Sequence, residues 1–518
     1  MSGLAQQLKN SGYKLHDYQK DGLDFLINRD IDPFTPGAIL ADEPGVGKTI
    51  QIISLILNSC NGKQLIVLPP SLVNQWIEII NKVLPHLNLY QWLGKNRLNN
   101  KDELDKLDDY QIIITTYGLT HKKGQKYETL LNEIMFDRII LDEGHMCSNK
   151  GSKRWKGVNS LKSRSKWILT GTPIQNSEKD LMNLLELVGV SIDEYINRTE
   201  LVIEKYLLRR KKSDVIPMLS PEHHIPDLII NTVPVEFSSE EERCFYRKIK
   251  GDVSLELERL RMFNFNMNSA FECIIRLKQA SIHPQMVINA YRKKNNILNL
   301  PNWKGRTSKL EVMKSMIKKH PNESSLIFCN FKYEMNEIKK QLLNIGLEVS
   351  MINGSTNNEQ RKVILKNSNV ISRYSRGLML INGLSGLPKL PDDICMNIMK
   401  YLPNKVLICQ VQSAGTGLNL QGYNRIYFTS LLWNPALEHQ CISRAHRLGQ
   451  KKKVIVTKLV LKDNNDEKTI DERILEIQQN KREIMAKLLK DDELKYDGEQ
   501  LNPIRIKLTM DDIENLLE

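Results

Sequence analysis

The residues best suited to phosphate chemistry lie in GAILADEPGVGKT, residues 37–49, where a glycine turn precedes Lys48 and Thr49. A buried strand, a glycine turn and a helix beginning at Lys-Thr place backbone N–H groups around phosphates. Lys48 would reach the β- and γ-phosphates of a nucleotide, and the Thr49 hydroxyl would bind Mg²⁺. Asp42 occupies the position of the first glycine in the usual pattern. A glycine turn before an ordinary helix is the alternative.

A pair of carboxylates, Asp142 and Glu143, ends the apolar run in FDRIILDEGH, residues 136–145. Carboxylates at the end of a buried strand are costly unless they have a partner. Asp142 is suited to holding Mg²⁺ against phosphates, and Glu143 to polarising the attacking water. An acidic turn that caps a helix is the alternative reading of this pair.

Two arginines and a small-residue loop form a third group near the carboxyl end. Arg444 and Arg447 lie three residues apart in HQCISRAHRLGQ, so a helix would present them on one face. They could neutralise developing phosphate charge, although arginines on a surface helix are common. The loop SAGTG, residues 413–417, would let backbone approach a ligand closely, as a plain tight turn also would.

Alternating strands and helices must position these groups. Behind the glycine turn, apolar strands are predicted at 64–70, 111–118, 136–145 and 165–176, each ending in polar residues. This alternation predicts an α/β fold with a parallel sheet whose carboxyl edge binds ligands. A second α/β unit is predicted over about 300–470, after a helical stretch from Ser238 to about Arg292. Residues 471–489 predict an amphipathic helix.

Composition restricts the class of protein. The chain has 518 residues, 41% hydrophobic, and a net charge of +13, so we expect about three domain-sized units and favour a polyanionic partner. No apolar run is long enough for a membrane span and MSGLAQQLKN lacks a signal-peptide core, which predicts a soluble intracellular protein without a membrane partner. A disulfide framework and a zinc site are not expected, since no C-x-x-C pair occurs among Cys60, Cys147, Cys244, Cys273, Cys329, Cys395, Cys409 and Cys441.

Taken in order, the motifs resemble those of superfamily-two helicase-like ATPases, and more narrowly the SNF2 (Swi2/Snf2) family. The narrower resemblance rests on LTGTPIQN, YLLRRKKSDV, GTGLNL and RAHRLGQ. The form ILDEGH is similar to that of the Rad5/Rad16-like group. The resemblance extends over about residues 10–490, and its full motif set is GAILADEPGVGKT, LIVLPPSLVNQW, IIITTYG, LDEGH, ILTGTPIQN, SLIFCNF, SAGTGLNLQGYN and HQCISRAHRLGQ.

The resemblance implies two RecA-like lobes that bind ATP and Mg²⁺ in the cleft between them. It implies that Gln19 contacts adenine, that Thr49 and Asp142 hold Mg²⁺, and that Glu143 acts on the water. It further implies coupling of the ATP site to DNA through Gln175 and the motif around Gly171. The remaining implied nucleotide contacts are Asp42, Pro44, Gly45, Val46, Gly47 and Lys48 in the first lobe and Gly417, Gln440, Arg444 and Arg447 in the second.

We therefore expect an amino-terminal ATP-binding lobe at 1–220, a helical linker or protrusion at 221–300, a second lobe at 301–470, and a brace helix with a tail at 471–518. Residues 369–404 are extra relative to the family. Their LPKLPDDICMNIMKYLP resembles the opening of an F-box, and a small helical insertion packed on the second lobe is the alternative. No RING finger lies between ILTGTPIQN and SLIFCNF, so ubiquitin-ligase activity is not expected.

The leading hypothesis from sequence is an ATP-dependent translocase that tracks duplex DNA by its phosphates without separating the strands. Nucleosomes or the transcription machinery would be its further partners. One alternative is a DNA-dependent nucleoside triphosphatase acting in transcription, and another is an adaptor that recruits a protein through 369–404. A nuclear location is expected, or a viral factory or virion if the chain is viral, as its many Asn, Ile and Lys residues allow.

Overall fold

The structure is a computed structural model, and it divides into two compact units after His224. We refer to them as unit 1 and unit 2. The residues it describes are 2–34, 37–98, 100–121, 129–175, 177–219, 225–263, 267–296, 299–321, 323–368, 405–414, 418–447, 449–463 and 468–489.

Unit 1 is a parallel sheet flanked by helices. Its strands are β1 (Gly37–Leu40), β2 (Gln64–Leu68), β3 (Leu89–Gln91), β4 (Ile112–Thr116), β5 (Phe136–Asp142), β6 (Ser163–Leu169) and β7 (Leu207–Leu208). Its helices are α1 (Ser2–Asn10), α2 (Asp17–Asp30), α3 (Lys48–Asn58), α4 (Val73–Val83), α5 (Lys153–Ser160), α6 (Glu178–Leu187), α7 (Ile192–Asn197), α8 (Thr199–Tyr206) and α9 (Lys212–Val215). Short 3₁₀ helices span Gly94–Asn96, Lys101–Leu107, Tyr117–Leu119, Leu130–Glu133, Gly144–Cys147 and Ile216–Met218.

The strand order of the unit 1 sheet is β3-β4-β2-β5-β6-β1-β7. All of its strand pairs are parallel, so the carboxyl ends meet at one edge. In register, Leu169 at the end of β6 pairs with Leu40 on one side and Asp142 on the other. The glycine turn after β1 and the carboxylates after β5 therefore emerge on either side of β6.

One hydrophobic core of unit 1 packs α1 to α4 against the central strands. Helix α3 is apolar because it is covered on most sides, with Ile52, Ile53, Leu55 and Ile56 completely buried. It buries those side chains against strand residues such as Ile66. The apolar run after Lys48 thus anchors the start of α3 beneath the glycine turn.

Unit 2 is a second parallel sheet flanked by helices. Its strands are β8 (Leu228–Glu236), β9 (Ser325–Cys329), β10 (Glu348–Ile352), β11 (Lys405–Gln410), β12 (Arg425–Phe428) and β13 (Val454–Lys462), in the order β10-β11-β9-β12-β13-β8. Its helices are α10 (Glu240–Phe263), α11 (Met267–Ala280), α12 (Pro284–Asn295), α13 (Ser308–Lys318), α14 (Lys332–Leu343), α15 (Asn358–Ser368), α16 (Val411–Ala414), α17 (Pro435–Ser443) and α18 (Ile470–Leu489).

The segment predicted as a helical linker, 221–300, differs from that expectation at its start. Helices α10, α11 and α12 fill most of it, but β8 precedes them and pairs with β13 along nine residues. The sequence does not predict this strand because β8 is a largely exposed edge strand that contains Pro234. Proline is tolerated there because an edge strand has one side without ladder hydrogen bonds.

The helix after the second sheet packs as a brace. Ile470 and Ile474 of α18 share a buried core with α10 and α11, which includes Tyr246 and Ile274. The hydroxyl of Tyr246 accepts a hydrogen bond from the backbone N–H of Ile470 at 2.8 Å. Within the described residues, no helix is both long enough and apolar enough to span a membrane.

Candidate functional site

The glycine turn of unit 1 forms a loop around the side chain of Lys48. Gly45 and Gly47 have φ angles of 96° and 98°, a left-handed region that favours glycine. The Lys48 ammonium donates to the carbonyl of Asp42 at 2.6 Å and to that of Glu43 at 3.3 Å. The cation is therefore held over the loop at the amino end of α3, where phosphates bind helix N-termini.

Helix α2 is fastened to this loop. The Gln19 amide donates to the carbonyl of Val46 at 3.0 Å, and the Tyr18 hydroxyl donates to the same carbonyl at 2.9 Å. A Cβ atom at Gly47 would lie 2.3 Å from the Gln19 nitrogen, so only glycine allows this approach. Gln19 thus lies beside the loop, with its amide bound to loop backbone, and its contact with adenine stays a prediction.

The carboxylate of Asp142 is held by hydrogen bonds from two directions. Trp76 donates its indole N–H to Oδ2 at 2.7 Å, and the backbone N–H of Glu143 donates to Oδ1 at 2.9 Å. Tyr117 donates its hydroxyl to the Asp142 carbonyl at 2.7 Å. Burial and the adjacent Glu143 charge raise the pKa of Asp142 to about 6, while the Trp76 hydrogen bond and the Lys48 charge act in the opposite direction.

Glu143 has an uncommon backbone conformation. Its φ of 51° and ψ of 46° are left-handed, which costs about 1–3 kcal/mol for a residue with a side chain and is typical of functional sites. Its carboxylate lies 3.5 Å from Nδ1 of His145, and the same nitrogen lies 3.1 Å from the hydroxyl of Thr170. The end of β5 is thereby linked to the residues that follow β6.

The loop also touches the motif after β6. A Cβ atom at Gly171 would lie 2.6 Å from ring atoms of Pro44, so the two backbones approach closely only because residue 171 is glycine. The backbone N–H of Gln175 donates to Asp180 at 3.1 Å. Gly171 is therefore part of the loop's surroundings, whereas the coupling of this motif to DNA stays a prediction.

Asp42 is placed differently from the other loop residues. Its side chain is completely buried, and its carboxylate pairs with Arg210 and accepts a hydrogen bond from Gln51. The carboxylate therefore cannot reach a nucleotide, and Asp42 faces the loop only through its backbone carbonyl. Within the basic run 209–212, Arg210 is turned into unit 1 by this ion pair.

The donors available for a metal suit Mg²⁺ bound together with a nucleotide. Thr49, the second residue of α3, supplies a hydroxyl, and Asp142 supplies a carboxylate. Among the described residues no three His, Cys, Asp or Glu side chains cluster as metal ligands. Mg²⁺ needs no such cage, because substrate phosphates and waters complete its coordination in sites with one or two protein ligands.

The predicted site residues of unit 2 gather at the end of α17. Gln440 is buried in the helix, and Arg444 immediately follows it, with its carbonyl accepting from Leu420 N–H at 3.0 Å. Burial, and to a lesser degree the Arg444 charge, lower the pKa of Arg447. Gly417 and the insertion 369–404 lie outside the described residues.

For three residues of the unit 1 site, the sequence predicted no role in the chemistry. Trp76 and Tyr117 orient Asp142, and His145 bridges Glu143 and Thr170. Each lies inside a motif already singled out, LIVLPPSLVNQW, IIITTYG or LDEGH. Their presence in those motifs was the available signal, but nothing local to the sequence reveals which atoms they contact.

Two family models match the chain. The SNF2-related domain matches residues 18–197, and the helicase conserved C-terminal domain matches residues 308–381. The first range contains Gln19, Lys48, Asp142 and Glu143. The second begins at the amino end of α13.

Relatives of this chain also have helicase or helicase-like names. The chain is 26% identical to the ATP-dependent helicase FUN30 of Saccharomyces cerevisiae, over 90% of this chain and 46% of the relative. It is 27% identical to human helicase-like transcription factor, over 82% of this chain and 50% of the relative. It therefore spans about half the length of these relatives.

Two further proteins are similar to this chain over most of the length of both sequences. A probable global transactivator of Orgyia pseudotsugata multicapsid polyhedrosis virus is 25% identical, over 90% of each chain. The solved Sulfolobus solfataricus SWI2/SNF2 ATPase core in complex with dsDNA is 21% identical and aligns over 98% of this chain and 97% of that chain, with a TM-score of 0.38. The chain thus contains an SNF2-related domain and a helicase conserved C-terminal domain, and it is similar over most of its length to proteins named as helicases or helicase-like.

Proposed function

We propose that this protein is a DNA-dependent ATPase that moves along duplex DNA and displaces or remodels bound proteins without separating the strands. The observation that carries the proposal is the placement of the Lys48 loop and the Asp142 carboxylate at one sheet edge, on either side of β6. A phosphate-binding cation and a metal-binding carboxylate in that relation are suited to a nucleoside triphosphate. The SNF2-related domain over the same residues supports ATP as the nucleotide.

Within unit 1, each proposed role follows from an observed position. The backbone N–H groups at the start of α3 and the Lys48 ammonium would bind the β- and γ-phosphates. Thr49 and Asp142 would hold Mg²⁺, which when bound neutralises phosphate charge. Glu143 would accept a hydrogen bond from the attacking water, and its strained backbone would aim the carboxylate.

The arginines of unit 2 would act at the transition state. Arg444 and Arg447 are partly buried and lie just after α17, so fewer orientations are open to them than to exposed arginines. We propose that they reach the γ-phosphate at the hydrolytic step, and that Gln440 and Gly417 also contact the nucleotide. A guanidinium delivered only at that step stabilises the transition state rather than the bound substrate.

Duplex DNA is the proposed polyanion. The net charge of +13 supports such a partner, as do the helicase names of the relatives. Contacts to the phosphate backbone would be independent of sequence and weakened by salt, because binding releases counterions. We propose a nuclear location because a mouse relative, 25% identical over 92% of this chain, is named as a regulator of chromatin. Nucleosomes are a proposed further partner for the same reason.

A second candidate function is a nucleoside triphosphatase that acts in transcription. The viral relative favours it, because that protein is named a probable global transactivator and matches over 90% of both chains. Both candidates require DNA-stimulated hydrolysis. They differ in whether the purified chain moves proteins off DNA unaided.

ATP hydrolysis measured with duplex DNA, single-stranded DNA and RNA tests the proposal. We expect strong stimulation by duplex DNA and its loss in Lys48→Ala, which removes the phosphate-binding cation. Lys166→Ala is the matched control, since Lys166 lies in β6 opposite Gly37, at the other end of β1 from the glycine turn. Stimulation by RNA alone, or full activity of Lys48→Ala, would contradict the proposal.

A further inference from the structure

The basic segment after α8 continues the sheet into the phosphate loop. Beyond the paired strands β1 and β7, Ala41 N–H donates to the Leu208 carbonyl at 2.7 Å, and Glu43 N–H donates to the Arg210 carbonyl at 3.0 Å. Lys212 N–H donates to the Glu43 carboxylate at 2.9 Å. The first half of the loop is thus hydrogen-bonded to residues 208–212 as an extension of the ladder.

A buried ion pair reinforces this backbone pairing. The Arg210 guanidinium binds both oxygens of Asp42, with Nε donating to Oδ1 at 2.9 Å and Nη2 to Oδ2. Its backbone N–H donates to the same Oδ1 at 3.1 Å. Arginine suits this role because its planar fork matches a carboxylate, whereas lysine presents a single point charge.

Gln51 and Tyr18 complete the set of partners. Gln51, in α3, donates to Asp42 Oδ2 at 3.1 Å and accepts from Arg210 Nη2 at 2.6 Å. Arg210 Nη1 donates to the carbonyl of Tyr18 in α2. One guanidinium therefore joins α2, the loop and the first turn of α3, all of which meet around Lys48.

The geometry points to Arg210 as a positioning residue for nucleotide binding, which acts through Asp42 and Gln51 by fixing the phosphate loop in its binding conformation. The inference rests on the proposed function, and it adds a role for a residue that makes no contact with phosphates itself. It also explains why an aspartate stands where generic phosphate loops have glycine: Asp42 is the anchor point for Arg210.

Arg210→Lys is the direct test, because lysine keeps the positive charge and loses the two-pronged contact. We measure the dissociation constant of a fluorescent ADP analogue and the kcat and KM of DNA-stimulated ATP hydrolysis. We expect the dissociation constant and KM to rise at least about tenfold, because small misplacements of binding groups have large effects. Removal of a bond that acts on binding should change kcat less than KM.

Arg138→Lys is the matched control for loss of a buried arginine in unit 1. Arg138 is completely buried in β5 and donates through Nε to Asp30 at 2.9 Å, near the amino ends of the strands. It should lower the melting temperature as Arg210→Lys does while leaving nucleotide affinity unchanged. If both variants weaken nucleotide binding equally, Arg210 is merely structural and the inference is overturned.

Gln51→Met provides a second variant should Arg210→Lys fail to fold. It leaves both charges of the ion pair in place and removes only the bridging amide. We expect at least about a threefold weaker affinity for the ADP analogue, since the pair loses one of its supports. Wild-type affinity in a folded variant of either kind overturns the inference alone, whereas a wild-type protein that binds no nucleotide overturns the proposed function as well.

Discussion

At the scale of single residues, the functional groups of the site are held in place by side chains that take no part in the proposed chemistry. Trp76 and Tyr117 hold Asp142 by its carboxylate and its carbonyl. The Lys48 charge lowers the pKa of the buried Asp142 carboxylate, and a bound cation would lower that pKa further. Because burial and the adjacent Glu143 destabilise the charged carboxylate, binding of a cation beside Asp142 is favoured.

Glu143→Gln tests the proposed general base. The amide keeps the size of the side chain and cannot accept a proton, so we expect unchanged nucleotide affinity and a loss of about 10²–10⁴-fold in single-turnover hydrolysis. Rapid-quench measurement of the first turnover separates this step from product release. A first turnover at the wild-type rate would show that another group activates the water.

His283 predicts an acid sensitivity of unit 2. Burial lowers its pKa from 6.5 to about 4, while its Nδ1 accepts from Gln285 N–H at the start of α12. The unfolded chain therefore binds a proton that the folded chain refuses, and stability falls as pH decreases from 6.5 toward 4.

Chemical denaturation at pH 7 and pH 5 measures this effect. We expect the free energy of unfolding to fall by about 2 kcal/mol from this residue, since one pKa unit corresponds to about 1.4 kcal/mol. His283→Asn keeps an N-cap acceptor without a titrating group and should remove that part of the loss. Identical pH dependence in the variant and the wild type would contradict the assignment.

The residues that sequence could predict are those whose role is local. Lys48 and Thr49 follow from the glycine turn, and Asp142 and Glu143 follow from the end of an apolar strand. Asp42 could not be understood this way, because its partner Arg210 lies 168 positions away. Pairings of that range depend on the tertiary fold and leave no trace in the spacing of residues.

At the scale of elements, the register of the sheet brings the site together. Because β6 pairs with β1 on one side and β5 on the other, the loop and the carboxylates emerge a strand apart. The long apolar strands were predictable from their composition. Strands β3 and β7 were not, since three and two residues carry no periodic signal, and β8 was hidden by Pro234 and its exposure.

Gly22 is an element-scale feature with a clear test. It lies in the middle of α2, where glycine is unfavourable, yet a Cβ atom would lie 2.0 Å from the Gln51 oxygen and 2.6 Å from Arg210 Nη2. Gly22→Ala should therefore lower the free energy of unfolding by about 1–3 kcal/mol through overpacking, although alanine favours helix.

Gly251→Ala is the control for helix propensity. Gly251 lies within α10, and a Cβ atom there would meet no heavy atom within 4 Å. This variant should be neutral or more stable by up to about 1 kcal/mol. If Gly22→Ala stabilised the protein as much as Gly251→Ala does, the close packing of α2 against Gln51 and Arg210 would be disproved.

At the scale of the whole molecule, the proposal divides catalysis between two units. Unit 1 contains the groups suited to binding the nucleotide, and unit 2 contains Arg444 and Arg447 just after α17. Binding and hydrolysis should then be separable by mutation. This division is what would let nucleotide turnover drive a change between the two units and so produce movement along DNA.

Arg447→Ala tests this division. We expect the affinity for a fluorescent ADP analogue to be unchanged and DNA-stimulated turnover to fall about 10³-fold, the size of effect known for arginine fingers. Lys453→Ala, a half-exposed lysine in the same unit, serves as the control for loss of one positive charge. Unchanged turnover in Arg447→Ala would contradict the two-unit account.

Displacement of a third strand from a DNA triplex is the most direct test of the central claim, because it reports translocation along a duplex that remains paired. With ATP, we predict release of the third strand by the wild-type protein, no release by Lys48→Ala, and no unwinding of a forked duplex. Vigorous DNA-stimulated ATP hydrolysis without third-strand release, or separation of the forked strands, would contradict the account.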